Sequence, residues 1–152
     1  MERIFRVVVE RCIACGKCEL ACAFAHATAP GVPAKTCINI ARRGPERGIP
    51  IVCLQCDAAA CLAACPTGAL ARNQRTGAID LTRERCVSCR ACVGACPFGN
   101  MTWDEAYHTV QKCDLCGGDP KCVPFCPTQA LEYVPAFAIA QRPPSVRRKI
   151  GS

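Results

Sequence analysis

Aromatic side chains are scarce in this sequence. Phe, Trp and Tyr together make up 5% of the 152 residues. A conventional core of large aromatic side chains is therefore excluded. A chain this poor in large side chains is marginally stable alone, so we expect bound metal to supply part of its folding free energy.

Long apolar runs and export signals are also lacking. No apolar segment approaches the roughly 18–20 residues that span a bilayer. Residues 1–10 are too short and too charged for a signal peptide, and Arg42-Arg43 lies too far along the chain for a twin-arginine signal. We therefore expect a cytoplasmic protein with reduced thiols and no membrane span.

The sequence contains no recognisable catalytic apparatus. It has no nucleophile–base pair, no G-x-G-x-x-G nucleotide loop and no open-site metal motif. His26 and His108 are isolated in the sequence, so surface or structural roles are expected for both. The chain is predicted not to be an enzyme by itself, and any substrate chemistry is expected on another polypeptide.

Cysteine, by contrast, is abundant. The chain has 17 cysteines, and a share of about 11% exceeds the density that marks a cysteine scaffold. Residues 86–97 read C-x2-C-x2-C-x3-C-P, the bacterial iron–sulfur pattern in which three thiolates hold one cluster and the fourth holds another. Sixteen of the cysteines form four such runs: Cys12, Cys15, Cys18 and Cys22; Cys53, Cys56, Cys61 and Cys65; Cys86, Cys89, Cys92 and Cys96; and Cys113, Cys116, Cys122 and Cys126.

The repetition of these runs helps to distinguish iron–sulfur clusters from zinc sites and from disulfides. Thiolate is a soft anionic ligand that suits both zinc and iron–sulfur clusters. Zinc sites seldom repeat in four runs, three of them followed by proline, and a disulfide scaffold would need an oxidising compartment. Four [4Fe–4S] clusters are therefore favoured over a zinc-binding interaction module.

The apparent basicity of the chain does not predict a nucleic-acid partner. The formal net charge is +7, but four oxidised clusters with their thiolates would change it to about −1. Aromatic residues interleaved with a basic patch are also missing. We expect no binding to nucleic acid.

Short helices and strands are predicted around the cysteine runs. Residues 17–26 and 57–65 contain helix formers, and the first segment places Cys18 and Cys22 on one helical face. Residues 27–50 are loop-like, because proline and glycine interrupt them. The predicted strands are residues 4–9, residues 37–42, and two hairpins that join 67–72 to 77–81 and 101–103 to 108–111.

The sequence resembles a known family. The resemblance is carried by all four runs, by the segment Cys96-Pro-Phe-Gly-Asn100 and by the segment Lys112-Cys-Asp-Leu-Cys116. Over residues 1–135 the chain resembles the polyferredoxin subunits with four [4Fe–4S] clusters. These occur in dimethyl sulfoxide reductase, formate dehydrogenase, formate hydrogenlyase and carbon monoxide dehydrogenase-linked hydrogenases. The repeat of CPTGAL at residues 65–70 as CPTQAL at 126–131 fits a duplicated unit.

The resemblance implies an α+β fold of two nested ferredoxin-like units, with short helices and β-hairpins around four clusters. The implied divisions are an outer unit of residues 1–28 and 106–135, a connector of 29–50, an inner unit of 51–105 and an extended basic tail of 136–152.

The resemblance also implies which cysteines share a cluster. Pairing is nested, outer run with outer and inner with inner, whereas spacing alone leaves open a sequential pairing of first with second and third with fourth. The implied ligand sets are Cys12, Cys15, Cys18 and Cys126; Cys113, Cys116, Cys122 and Cys22; Cys53, Cys56, Cys61 and Cys96; and Cys86, Cys89, Cys92 and Cys65.

The small size of the chain is most similar to the small polyferredoxin subunit of multi-subunit tungsten-dependent aldehyde oxidoreductases. That similarity implies an electron-transfer subunit beside a catalytic tungsten or molybdenum pterin subunit and a flavin- or NAD-linked subunit. The alternative is a freely diffusing polyferredoxin, or one linked to hydrogenase, formate dehydrogenase or carbon monoxide dehydrogenase. The basic tail is a candidate for self-association.

A few residues outside the ligand sets carry separate expectations. Cys37 is expected to be a small buried or loop thiol rather than a ligand. Trp103 is expected to pack over a cluster. Lys112 and Arg90 lie beside ligand cysteines, where each either raises a local reduction potential or is simply solvated.

Overall fold

Short β-ribbons and short helices alternate along the chain. The computed structural model describes residues 2–140, and for residues 139 and 140 it describes the backbone alone. The α-helices are α1 (Lys17–Ala25), α2 (Ala60–Ala63), α3 (Ala91–Ala95) and α4 (Phe137–Ala140). The strands are β1 (Arg3–Val7), β2 (Asn39–Arg42), β3 (Gly48–Ile51), β4 (Leu70–Arg72), β5 (Ile79–Leu81), β6 (Thr102–Asp104), β7 (Thr109–Gln111) and β8 (Leu131–Pro135). The predicted α+β class is confirmed.

The strands form four separate antiparallel pairs, β1–β8, β2–β3, β4–β5 and β6–β7. Both predicted hairpins are confirmed, as β4–β5 and β6–β7. In the turn of the first hairpin, the Gly77 amide donates to the Asn73 carbonyl at 2.8 Å. The Asn73 side chain accepts from the Arg75 amide at 2.9 Å, as Asn does in an Asx turn.

The pair β1–β8 joins residues from opposite ends of the chain. Phe5 lies opposite Tyr133 in the register, with ring centroids 5.6 Å apart. Arg3 stacks over the Tyr133 ring at 4.7 Å, and Arg6 forms an ion pair with Glu132. The sequence predicted the first strand but not its partner. The paired residues are far apart in the chain, as Arg6 and Glu132 are separated by 126 positions, so local patterns could not reveal the pairing.

The strand predicted over residues 37–42 is present as β2, but its partner β3 was missed. β3 reads Gly-Ile-Pro-Ile, and the glycines and prolines around it predicted a loop. Proline is tolerated there because each strand of a two-stranded ribbon has a free edge, where a missing N–H leaves no ladder bond unmade.

Helix α1 confirms the helix predicted over residues 17–26. Gly16 precedes it in the left-handed region, with a φ of 78°, and the helix buries Cys18 and Cys22. The second predicted helix, residues 57–65, is reduced to the single turn α2. Pro66 follows closely and cannot continue a helix, which limits its length.

Two small cores contain aliphatic and cysteine side chains. Among the described residues, the largest fully buried side chains are Ile79, Leu131, Val110 and Cys37. The first core includes Cys18, Cys22, Ile38, Cys122 and Leu131, with Phe5 partly buried against it. The second core consists of Leu70, Ile79, Cys92, Met101 and Val110. The expectation of a core without many aromatic residues agrees with this packing.

The stretch predicted as a connector, residues 29–50, packs into the first core. Ala34, Cys37, Ile38 and Ile40 are all buried. None of the helices among residues 2–140 has the length and apolar character needed to cross a membrane.

Gly48 offers a direct test of this packing. A Cβ added there would lie only 2.4 Å from Ile40 Cγ2 and 3.2 Å from the Ala14 Cβ. We expect Gly48→Ala to destabilise the iron-loaded protein by about 1–3 kcal/mol through overpacking. Anaerobic thermal unfolding followed by circular dichroism measures this loss.

Gly94→Ala is the control for Gly48→Ala. Gly94 lies in α3 with no atom within 4 Å of an added Cβ. Its replacement should leave the melting temperature unchanged or slightly raised, because alanine is the better helix former. Equal melting temperatures for the two variants would contradict the close packing of β3 on β2.

Candidate iron–sulfur centres

The loops of the four cysteine runs share one backbone feature. The residue before the second cysteine of each run has a left-handed φ: Ala14 56°, Gln55 50°, Ser88 58° and Leu115 57°. Non-glycine residues seldom adopt this region, so four at equivalent positions are not accidental. Alternation between right- and left-handed residues forms backbone concavities that bind anions. The loops are therefore suited to enclose an anionic group.

The cysteine–proline turns repeat in the same way. The third residue after each of these cysteines has a left-handed φ, at Gly68, Gly99 and Gln129. This turn directs a backbone amide at the thiol: Asn100 N–H donates to Cys96 Sγ at 3.4 Å, and Ala130 N–H to Cys126 Sγ at 3.2 Å.

The first run has no proline, and its last cysteine receives its hydrogen bond from elsewhere. Helix α1 continues past Cys22 to Ala25. The amide of Cys37 then donates to Cys22 Sγ at 3.2 Å. The Cys37 side chain is 2% exposed, which confirms the interpretation of a buried thiol. The loop that follows α1 therefore supplies Cys22 with an amide hydrogen bond, as the cysteine–proline turn does for Cys96 and Cys126.

Three small cavities are each lined by cysteines from more than one run. Most of their remaining lining is aliphatic, with Ile79, Leu70 and Val52 in one cavity each. The cysteine sets are Cys53, Cys56, Cys61 and Cys96 in the first; Cys65, Cys86, Cys89 and Cys92 in the second; and Cys22, Cys113, Cys116 and Cys122, with Cys37 and Cys53, in the third.

The remaining ligand candidates lie around the start of α1. Cys12 and Cys18 belong to the first core, and Cys126 packs against it. Burial raises the pKa of the Cys18 thiol to about 11, and the nearby negative charges of Glu19, Cys126 and Cys15 act in the same direction. Cys126, from the last run, therefore packs against the same core as Cys12 and Cys18 from the first.

The structure thus groups the cysteines three from one run with one from another. Cys65 lies with the third run and Cys22 with the fourth. Sequential pairing would instead place Cys65 with the first run, not the third. Each cavity offers at least four thiols in a largely apolar enclosure, and that donor type fits the four soft ligands of a cubane cluster.

His26 is not isolated, contrary to the expectation from sequence. Its Nε2 lies 3.0 Å from Asp114 Oδ1, and its Nδ1 lies 2.9 Å from the Cys22 carbonyl and 3.8 Å from Cys22 Sγ. The hydrogen bonds to Asp114 and Cys22 raise the pKa of His26 to about 11, and His26 in turn lowers the pKa of Asp114. His26 and Asp114 are 88 positions apart in the sequence, so local patterns could not reveal this pair.

Lys112 and Arg90 have different environments. The Lys112 side chain is buried, and its Nζ donates to Cys53 Sγ at 3.2 Å. The alternative of a solvated Lys112 is therefore wrong. Arg90 is exposed and stacks over the Trp103 ring at 3.9 Å. Trp103 packs against the second core, which includes Cys92.

Cysteine sets on loops of this shape, in an α+β fold of short ribbons, define a ferredoxin-type iron–sulfur protein. Residues 47–135 match the model of the 4Fe-4S dicluster domain, and residues 9–25 match a 4Fe-4S binding domain. The chain belongs to the 4Fe-4S dicluster-domain family, and its cofactors are [4Fe–4S] clusters. It is an iron–sulfur electron-transfer protein of the kind that occurs in oxidoreductase complexes.

Relatives of this chain include oxidoreductase subunits and an electron transport protein. The polyferredoxin-like subunit of aliphatic sulfonate oxidoreductase from Pyrococcus furiosus is 38% identical over 128 residues, covering 82% of this chain and 72% of the relative. The electron transport protein HydN of Escherichia coli is 31% identical, covering 98% and 97%. The resemblance to the polyferredoxin family is confirmed.

A third relative is much longer than this chain. The beta subunit of NADH-dependent phenylglyoxylate dehydrogenase from Aromatoleum evansii is 34% identical over 126 residues. The match covers 82% of this chain and 28% of the relative. It therefore concerns one part of a larger subunit.

Cys37 can be distinguished from a ligand by substitution. We expect Cys37→Ala to keep the iron content of the unaltered protein, because the backbone amide that bonds Cys22 Sγ remains in place. Iron per chain, measured by elemental analysis after anaerobic purification, checks this expectation.

Cys122→Ala is the comparison for Cys37→Ala, since Cys122 lines the same cavity. This variant should lose iron. If Cys37→Ala lost as much iron as Cys122→Ala, Cys37 would be a ligand and the prediction would be wrong.

Proposed function

We propose that the chain is a non-catalytic electron-transfer subunit that holds four [4Fe–4S] clusters in nested ligand sets. The observation that carries this proposal is that each cavity combines three cysteines of one run with the last cysteine of another. When bound, such clusters accept and release one electron each. The proposed ligand sets are Cys12, Cys15, Cys18 and Cys126; Cys22, Cys113, Cys116 and Cys122; Cys53, Cys56, Cys61 and Cys96; and Cys65, Cys86, Cys89 and Cys92.

The protein's own groups perform three tasks in this proposal. Thiolates hold the iron, backbone amides such as those of Asn100 and Ala130 stabilise negative charge on sulfur, and the aliphatic cores exclude water. The short helices also link neighbouring sites. Cys18 and Cys22 lie one turn apart on α1 but belong to different ligand sets, so those two sites are adjacent.

The nested division of the chain is part of the proposal. The outer unit comprises residues 1–28 and 106–135, and the inner unit comprises residues 51–105. Pairing of β1 with β8 supports the outer unit, because it joins segments from both ends of the chain. Residues 29–50 contribute buried side chains to the first core, which supports assigning them to the outer unit as well.

The proposed partner is a catalytic subunit with a tungsten or molybdenum pterin, as in an aldehyde oxidoreductase, together with a flavin- or NAD-linked acceptor. The name of the Pyrococcus relative supports a place beside a catalytic oxidoreductase subunit. The name of the NADH-dependent dehydrogenase subunit supports an NAD-linked acceptor. A reducing, cytoplasmic location is proposed because free thiols must assemble the clusters. The tail proposed for self-association was predicted as extended over residues 136–152. Its start forms the short helix α4, and residues 141–152 lie outside the described residues.

A second candidate is an electron carrier without a permanent catalytic partner, or one linked to hydrogenase or formate or carbon monoxide dehydrogenase. The match to the electron transport protein HydN favours it, since it covers nearly the whole of both chains. The two candidates predict the same clusters and differ in what the protein binds.

Anaerobic co-purification with elemental analysis separates these candidates. We expect about 16 iron atoms per chain, four for each cubane. Tungsten or molybdenum in a stoichiometric complex would support the pterin partner. Nickel in a complex, or purification alone with full iron content, would contradict that partner and support the second candidate. A colourless, zinc-containing protein would contradict both.

The crossed ligand sets are tested by paired substitutions. Because Cys96 lines the cavity of the second run, we expect Cys96→Ala and Cys61→Ala to lose the same signal in reduced-state EPR spectra. Cys65→Ala and Cys92→Ala should lose a different one. Loss of the same signal in Cys96→Ala and Cys92→Ala would contradict the crossed arrangement.

A further inference from the structure

Lys112 places a positive charge inside the protein, between two of the cysteine groups. Its side chain is 6% exposed, and its Nζ donates to Cys53 Sγ at 3.2 Å, to Gln55 Oε1 at 2.9 Å and to the Cys113 carbonyl at 3.0 Å. Cys53 lines the first cavity, whose wall includes Lys112 itself, and it also borders the third, which Cys113 lines.

Within the described part of the chain, no carboxylate pairs with this ammonium group. Among residues 2–138, the ion pairs within 4.0 Å involve other cations, and none includes Lys112. A buried charge is unfavourable unless an opposite charge compensates it. The thiolate of Cys53, and the negative charge of the group that it binds, provide that compensation.

Other cations near the cysteine groups are paired with a carboxylate, exposed to solvent, or, for Arg72, bonded to backbone carbonyls. His26 is paired with Asp114, and Arg42 is paired with Glu19. Arg90 is exposed, where water and salt screen its charge. Arg72 is half-buried and donates to the carbonyls of Cys56 and Gly77, so it adds positive charge to the same group as Lys112.

Reduction makes an iron–sulfur centre more negative by one charge. A nearby cation therefore stabilises the reduced state more than the oxidised state, and the effect is stronger in an apolar cavity than in water. Net charge and hydrogen bonds to sulfur are among the factors that set the reduction potentials of these centres. Lys112 contributes both to the group of Cys53.

We infer that Lys112 is a potential-setting residue that gives the centre of Cys53, Cys56, Cys61 and Cys96 the highest reduction potential of the four. This inference rests on the proposed function, in which Cys53 is an iron ligand. The first electron from an external donor then rests at that centre, and no bond or proton is exchanged. Through the Cys113 carbonyl, the same lysine lies at the boundary with the group of the fourth run.

Potentiometric titration of the full chain, followed by EPR, tests this inference. Lys112→Met and Lys112→Gln remove the charge, and Lys112→Arg keeps it. One EPR signal appears first on reduction, and we expect its reduction potential to shift in both neutral variants. The shift should be at least tenfold in the equilibrium constant, about 59 mV for one electron. The shift should be towards lower potential and smaller in Lys112→Arg.

Lys17→Met is the matched control. Lys17 directly precedes Cys18 as Lys112 directly precedes Cys113, but its side chain is exposed. Solvent screening should leave all potentials unchanged in this variant. An equal shift in Lys17→Met would overturn the inference, because burial would then not matter.

The remaining outcomes are also decisive. The shifted signal must be the one that Cys96→Ala removes; a shift in another signal, or none in Lys112→Gln, overturns the inference. Loss of that centre in both neutral variants but not in Lys112→Arg supports the need for the charge. Loss of that centre in Lys112→Met, Lys112→Gln and Lys112→Arg alike would assign Lys112 a packing role and overturn the inference. An unaltered chain without iron would instead contradict the proposed function.

Discussion

The structure depends on gathering negative sulfur ligands where water is scarce. Burial, together with the neighbouring Cys22, Cys116 and Cys18, raises the pKa of the Cys122 thiol to about 12. Holding several such groups together as thiolates is unfavourable unless cations are bound among them. The small aliphatic cores and two-stranded ribbons add little packing by comparison. Iron binding and folding are therefore expected to be closely coupled.

The same backbone conformations recur around the cysteines of the four runs. Each run has a left-handed residue before its second cysteine, and each cysteine–proline turn has one three residues after the cysteine. Such conformations cost free energy for residues other than glycine, as at Leu115 and Gln129. They recur because a loop that curls around an anionic group and directs amides at its ligands requires them. Binding offsets the local strain.

Positive charge is distributed unevenly around the four cysteine groups. His26 is placed beside Cys22 but balanced by Asp114. Lys112 is placed beside Cys53 with no carboxylate partner in the described part of the chain. Similar cysteine groups are therefore held in different electrostatic environments. Under the proposed function, this difference would give chemically alike centres different reduction potentials.

Sequence by itself determined the class of protein, the four cysteine runs and the short helix and hairpins next to them, because these depend on residue type and local spacing. It missed β3, whose Pro50 is tolerated only because a two-stranded ribbon has free edges. The cysteine grouping around each cavity, the β1–β8 pair, and the partners of His26 and Lys112 were decided by tertiary structure alone. Those contacts join residues far apart in the chain, which local patterns cannot bring together.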